Sequence, residues 1–305
     1  MSPAERDLIS IIIPYFNGEQ YIEETLSAVL AQTYRNWEAL VIDDGSRRSE
    51  ASTYLRNLVE KISDPRIRHF EKKNEGLSAT RNLGIANARG MYVALLDQDD
   101  LWSPEKLEKQ VACFESASET GMVYTDAWVS NEVGGTKRRY SGVVRPHAGR
   151  VFEQLLFENF IVCSSVLIKK DVLGRVGPFN PQYKQAEEYD LFLRIAETFP
   201  IGYVDSPLTT YRVHQSNTTR EQKYLAQTES REILSGFAGK GTARLEKVRV
   251  ALARLNYADM KLYIKDQRWS EALVAFSKTA FPNPYAAFEC FIGDLWAKLR
   301  KSRRH

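Results

Sequence analysis

The stretch Met91 to Trp102, MYVALLDQDDLW, runs an apolar segment straight into Asp97, Asp99 and Asp100, with Gln98 between the first two acids. Carboxylates this close repel one another and lose hydration together on burial, so the pattern calls for a positive partner. Acids at the end of a buried strand suit a hard divalent cation held through oxygen, Mg2+ or Mn2+. Against a diphosphate, such a cation stabilises the negative charge of a leaving group. A plainer reading has Asp100 or Ser103 cap a helix beginning near Pro104, which leaves Asp97 without a role.

Four other segments carry chemistry-bearing residues. VIDDGS, Val41 to Ser46, places two acids ahead of a glycine turn; the turn explains Gly45, and an acid at a strand end can accept from a base N–H or a ribose hydroxyl. NEGLSATRNLG, Asn74 to Gly84, sets Arg81 early in a helix, for a base, a phosphate or a surface ion pair. KQAEEYDLFLRIAETF, Lys184 to Phe199, has apolar residues at helical spacing behind Glu187 and Glu188, acids that a helix N-terminus favours whatever their use and of which one could act as a base. TYRVHQSNTT, Thr210 to Thr219, carries a lone His214, with no second histidine for a zinc site. No GxGxxG or Walker sequence is present, which removes nicotinamide and P-loop phosphate binding.

These residues need elements that bring them to one place. Between residues 9 and 96 short β-branched runs (ISIIIP, WEALVI, IRHF, MYVALL) alternate with helical stretches at Glu19 to Ala31, Ser49 to Lys61 and Gly76 to Ala88. That rhythm predicts a doubly wound α/β domain with a mostly parallel sheet, whose strand ends would aim Pro14 to Asn17, Asp43 and Asp44, and Asp97 to Asp99 at one crevice. A mixed section from about Gly121 to Tyr211 follows, with strands at MVYTDAWV, SSVLIKK and PIGYV and a helix starting near Ala186. The expected division is residues 1–218 as one domain, with a nucleotide half (1–120) and an acceptor half (121–218), and a helical region over 219–305 resembling a single tetratricopeptide hairpin.

With 305 residues, 43% hydrophobic and 27% charged, the chain is long enough for a large core and shows neither disorder nor a membrane bundle. A net charge of +3 gives no case for nucleic acid. Cys113, Cys163 and Cys290 are scattered with no CxxC pair, and the N-terminal MSPAERDLIS lacks the apolar core of a secretory signal. Both point to a cytoplasmic protein. The run AFPNPYAAFECFIGDLWAKLRKSRRH has Phe288, Phe291, Ile292, Leu295 and Trp296 at helical spacing before a basic cluster. It reads equally as a helix lying on the inner face of the cell membrane or as packing plus a solvated tail.

Taken together and in order, ISIIIPYFNGEQYIEETLSAVLAQTYRNWEALVIDDGS, NEGLSATRNLG, LLDQDD, EEYDLFLR and YRVHQSN resemble glycosyltransferase family 2, inverting nucleotide-sugar transferases of the GT-A fold, from about Leu8 to Thr219. The resemblance implies a nucleotide-sugar pocket lined by Pro14, Tyr15, Phe16, Asn17 and Glu19, with Asp44 on the base and Arg81 beside it. Asp97-Gln98-Asp99 would be the family's DxD motif, Asp97 at the ribose and metal and Asp99 holding Mn2+ or Mg2+, with His214 near the diphosphate or metal. Asp100, Trp102 and Glu187 would lie toward the acceptor. Glu188 would be the catalytic base, where the family usually has Asp, and Phe192 stands in place of the usual Trp.

On this reading the donor is a nucleoside-diphosphate sugar, a UDP-sugar first, and the acceptor a saccharide or lipid-linked saccharide of surface polysaccharide or lipopolysaccharide assembly. A nucleotidyltransferase of similar fold would need a Gly-rich basic loop that PYFNGEQ lacks. A sugar-nucleotide-binding module without turnover is the other alternative, because a fold does not guarantee chemistry.

Overall fold

The computed structural model describes residues 7–47, 49–131, 137–214, 220–238 and 242–280. The membrane-facing expectation for Phe281 to His305, and Cys290 with it, lies outside the described residues.

The first half follows the expected alternation: β1 (Ile9–Tyr15), α1 (Ile22–Leu30), β2 (Trp37–Asp43), α2 (Ser49–Ile62), β3 (Ile67–Glu71), α3 (Leu77–Asn87) and β4 (Tyr92–Leu95). β1 lies between β2 and β4, and β3 is outermost, all parallel. All seven residues of β1 and of β2 are buried, as expected of strands covered on both faces. Each large aliphatic side chain buried in these strands contributes about 1.5–3 kcal/mol. α3 lies close on β1 because residue 84 is glycine: a Cβ there would sit 2.5 Å from Ile12 Cγ2.

Beyond β4 the sheet is mixed. β5 (Leu101–Trp102), α4 (Lys106–Ser116), β6 (Met122–Asn131), β7 (Lys137–Arg139), α5 (Phe152–Phe157), β8 (Val166–Lys169), α6 (Lys170–Val176), α7 (Glu187–Thr198) and β9 (Ile201–Val213) follow. The strand order is β3-β2-β1-β4-β8-β6-β9-β5 with β7 on β6. β8 is antiparallel to β4 and β6, and β5 to β9, so the expected mostly parallel sheet holds for the nucleotide half and gives way to mixed pairing after it.

β9 is far longer than PIGYV suggested. Its register on β6 shifts on both sides of Asp126, and there the Asp126 carboxylate accepts from the Ala127 and Ser141 N–H groups at 2.8 and 3.0 Å and from Arg139 Nε at 2.7 Å. That irregularity lets β9 continue past Pro207 to meet β5.

Contacts divide the chain into two compact units: Met1–Phe152 with Phe160–Asn217, and Glu153–Asn159 with Thr218–His305. The second is helical: α8 (Arg220–Gly236), α9 (Thr242–Lys265) and α10 (Trp269–Ala280), joined by most of α5 through a Lys247–Glu153 ion pair and Arg254 over the Phe157 ring at 4.7 Å. Among the described residues this unit has three helices with an inserted fourth, where the sequence suggested a single hairpin. No helix among the described residues is long and apolar enough to cross a membrane.

Candidate active site

The segment after β1 is shaped by its own backbone. Pro14 is buried in the strand, and Tyr15 turns inward, 1% exposed, its hydroxyl donating to the Ala51 carbonyl at 3.0 Å. Phe16 is the half-buried aromatic of the pair. Its N–H donates to Gln98 Oε1 at 2.8 Å and its carbonyl accepts from Gln98 Nε2 at 3.2 Å, so the Gln98 amide holds the loop as a strand neighbour would. Gly18 leaves room for that amide, since a Cβ would fall 2.2 Å from Gln98 Oε1. Asn17, at φ 47°, donates its N–H to Ser46 Oγ and accepts from the Arg47 N–H, which ties the loop to the VIDDGS turn.

The two acids of that turn divide their work. Asp43 accepts from the Ser46 N–H and hydroxyl at 2.9 and 2.8 Å and from the Ser52 hydroxyl, and so fixes the turn. Asp44 points the other way: Lys72 Nζ at 2.7 Å, the Glu75 N–H at 3.0 Å and the Gly76 N–H at 2.9 Å donate to it. A carboxylate offers about four acceptor positions, so one remains on Asp44 Oδ2. Gly45 has φ +65° and a Cβ there would meet Asn74 N at 2.6 Å, which explains glycine at this step.

Arg81 is the junction of the site. It is 1% exposed; Nη2 donates to Asp97 Oδ1 and Nη1 to Glu187 Oε1, each at 2.7 Å. One guanidinium fork thus joins the turn after β4 to the start of α7, about ninety residues further along the chain. Glu187 is 3% exposed and its charge is taken up by Arg81. Glu188, beside it and half-buried, is pushed from 4.5 up to about 8, first by burial and then by Glu187, with Arg81 opposing. Cys163 stands in the same electrostatic neighbourhood, its thiol pushed well up by burial.

The acids after β4 separate as well. Asp99 Oδ2 lies 2.8 Å from His214 Nε2, and burial, then Asp97, pushes the Asp99 carboxyl up despite that bond. Asp100 does not cap α4. It is buried, accepts from the Arg212 N–H at 3.0 Å, and is pushed well above the usual carboxylate range by burial and by Asp99. α4 begins later, at Lys106, with no side-chain cap. Trp102 is buried and donates its indole N–H to the Ser164 carbonyl at 2.7 Å. Asp100 and Trp102, expected toward the acceptor, therefore sit in the packing that joins β5 to β9.

Two participants were not singled out from sequence. Arg212 donates through Nε to the Asp99 carbonyl, pairs with Glu24 and lies over the Tyr21 ring at 4.8 Å, while Tyr21 stacks on His214 at 4.8 Å. Arg212 stands two residues before His214 in the YRVHQSN segment. Tyr21 had no signal beyond its place at the start of α1.

Among the described residues no three acid, His or Cys side chains form a ready-made metal cage. The donor types nonetheless fit a hard divalent cation: two carboxylates, Asp97 and Asp99, and the His214 imidazole, with Asp99 destabilised as an anion by its surroundings. Mg2+ and Mn2+ commonly take one or two carboxylates and complete their shell from substrate phosphate and water.

Residues 10–177 match the family described as glycosyl transferase family 2. The chain belongs to that family. A glycosyltransferase of Rickettsia typhi is 31% identical over 77% of this chain and 73% of its own length. The Escherichia coli UDP-Glc:alpha-D-GlcNAc-diphosphoundecaprenol beta-1,3-glucosyltransferase WfgD is 30% identical over 78% of this chain and 89% of its own. The relative from Rickettsia felis, 30% identical, is longer, and this chain spans 35% of it.

Among solved structures the family fold recurs in Staphylococcus aureus TarS, with TM-score 0.62, 17% identity, 92% of this chain and 50% of that one covered. It recurs also in the mannosyltransferase PcManGT of Pyrobaculum calidifontis in complex with GDP-Man and Mn2+, with TM-score 0.64, 17% identity, 98% and 82% covered. The chain therefore has the α/β architecture of GT-A glycosyltransferases.

Proposed function

We propose that this family 2 chain transfers a sugar from a nucleoside-diphosphate donor to an acceptor hydroxyl with inversion at the anomeric carbon. The observation that carries the reading is the Arg81 fork. By binding Asp97 and Glu187 together it sets the acidic turn after β4 beside Glu188, a carboxyl whose affinity for protons is suited to general-base work near neutral pH.

Each group then has a task. Phe16 offers a ring face to the base, with Asn17 and Glu19 beside it, and the open position on Asp44 accepts a base N–H. Ionised Glu188 takes the proton of the acceptor hydroxyl as that oxygen bonds to the anomeric carbon and the carbon–oxygen bond to the diphosphate breaks. A single displacement of this kind inverts the centre and needs no enzyme nucleophile. A divalent cation held by Asp99, with Asp97 and His214, would neutralise charge on the diphosphate.

The donor reading draws support from the structural neighbours, since TarS has been solved in complex with UDP-GlcNAc and PcManGT with GDP-Man. A UDP-sugar is the donor proposed here. The WfgD name describes a diphosphoundecaprenol-linked acceptor, and a lipid-linked saccharide of polysaccharide assembly is the corresponding proposal for this chain.

The test is a panel of nucleotide sugars incubated with the chain and Mn2+. Release of nucleoside diphosphate from one of them, abolished by chelation and reduced about 100-fold or more in Asp99→Asn and Glu188→Gln, supports the reading. Turnover that is undiminished in Glu188→Gln, or release of pyrophosphate in place of nucleoside diphosphate, overturns it.

A further inference from the structure

The residue that opens α1 is a poor choice for its place. Tyr21 stands at the helix N-cap, where Ser, Thr, Asp or Asn would bond a free backbone N–H, and its side chain makes no such bond. The ring goes elsewhere. It stacks on the His214 imidazole, centroids 4.8 Å apart and planes 22° from parallel, and the Arg212 guanidinium lies 4.8 Å from the centre of the same ring. Arg212 and His214 are two residues apart where β9 ends, so they share a face of the extended chain and one ring meets both.

The rest of the first turn of α1 holds the same region from the other side. Glu24 pairs with Arg212. The Thr25 hydroxyl, fully buried, donates to the Gln98 carbonyl at 2.7 Å with the Asp100 carbonyl at 3.0 Å. One helical turn therefore fixes both the acidic turn after β4 and the end of β9, and between them Asp99 Oδ2 and His214 Nε2 lie 2.8 Å apart. The torsion that spins an imidazole about its bond to Cβ is broad and soft, and a single hydrogen bond leaves the ring able to tip about it. The stack on Tyr21 removes that freedom.

We infer that Tyr21 is a positioning residue: it holds the His214 imidazole with Nε2 directed to Asp99, so that the two side chains are already in place for a divalent cation. Tyr21 acts through the imidazole, in the way that neighbours of metal-binding histidines fix ring orientation. The inference rests on the cation proposed above for Asp99 and His214, and the experiment separates the two.

The full chain is titrated with Mn2+ in the presence of UDP, free Mn2+ being followed by electron paramagnetic resonance. The variants are Tyr21→Phe, Tyr21→Ser, His214→Gln and the pair Tyr21→Ser, His214→Gln. Tyr21→Phe keeps the ring face and should bind Mn2+ as the wild type does. Tyr21→Ser should weaken binding about tenfold. Serine is a good N-cap, so the melting temperature of Tyr21→Ser should stay close to the wild type's, an outcome that a merely structural tyrosine would not give. In the His214→Gln background the serine change should have no further effect on Mn2+. A second readout needs no metal. The ring-proton signals of His214, identified by their loss in His214→Gln, should be shifted upfield by the Tyr21 ring in the wild type and in Tyr21→Phe, and move downfield in Tyr21→Ser.

Wild-type uptake of Mn2+ that is unchanged in Tyr21→Ser overturns the inference and leaves the cation reading standing. So does a tenfold loss that persists in the His214→Gln background, a loss of the same size in Tyr21→Phe, or a large fall in the melting temperature of Tyr21→Ser. Absence of Mn2+ uptake by the wild type overturns the cation reading and this inference with it.

Discussion

Glu188 holds its proton at neutral pH in the folded chain, since burial and Glu187 lift it from 4.5 to about 8. Between those two values the folded state binds more protons than the unfolded state, so stability is full below about 4.5 and declines as pH rises toward 8. Glu188→Gln imitates the protonated form. Its melting temperature is expected to exceed the wild type's by more at pH 9 than at pH 5, while turnover collapses. A difference independent of pH would show that the carboxyl is not lifted. For the wild type, kcat/KM should climb with pH and level off above about 8.

Arg81 gives the complementary experiment. Arg81→Met leaves Glu187 buried without a partner and is expected to cost about 3–5 kcal/mol in urea denaturation, most of it recovered in Arg81→Met, Glu187→Leu. If the double variant is no more stable than the single one, the ion pair is not what the substitution removed.

Two glycines separate what elements do for stability from what they do for the site. At Gly84 a methyl group would meet Ile12 Cγ2 at 2.5 Å and Ile12 Cδ1 and Ile42 Cδ1 at 3.1 Å, all in the core under α3. Gly84→Ala is expected to destabilise by about 1–3 kcal/mol through overpacking, with KM for the donor little changed in the surviving folded fraction. At Gly18 the atoms nearest the methyl group belong to the end of the Gln98 side chain, which can swing aside. Gly18→Ala should leave the denaturation midpoint nearly unmoved and raise the donor KM, because the Gln98 amide no longer holds Phe16. Measuring both quantities on both variants checks the pair; equal effects would refute the distinction.

On the scale of the whole molecule, the helical unit is discontinuous in sequence. α5 leaves the chain near residue 153 and contributes Glu153 and Phe157 to Lys247 and Arg254 of α9. A chain ended after Asn217 would retain the sheet and every residue of the proposed site but strand α5 without these partners. The expected outcome is a species that elutes as aggregate in size-exclusion chromatography, and that becomes monodisperse when Glu153 to Asn159 is replaced by a short polar linker. Monodisperse behaviour of the simple truncation would show that α5 needs no helical partner.

Local signals were enough to mark β1, β2 and β4, the helices between them, and the acids at their ends, because a strand buried on both faces is a continuous apolar run and polar residues stop it abruptly. The same signals marked Glu187 and Glu188 at the start of a helix and left open which of them faces a substrate. The resemblance put Glu188 forward as the base, and the proposal above keeps it there because Arg81 reaches across the fold to neutralise Glu187 while Glu188 is the carboxyl with the raised pKa. Likewise Asp97, Asp99 and Asp100 read as one acidic cluster, whereas the structure pairs them separately with Arg81, His214 and Arg212. Sequence alone determined the residue types and the elements that carry them, since hydrophobic periodicity is a short-range property. Pairing partners, and with them which acid is buried or neutralised, were decided only by tertiary structure, because long-range electrostatics and burial depend on which elements fold together.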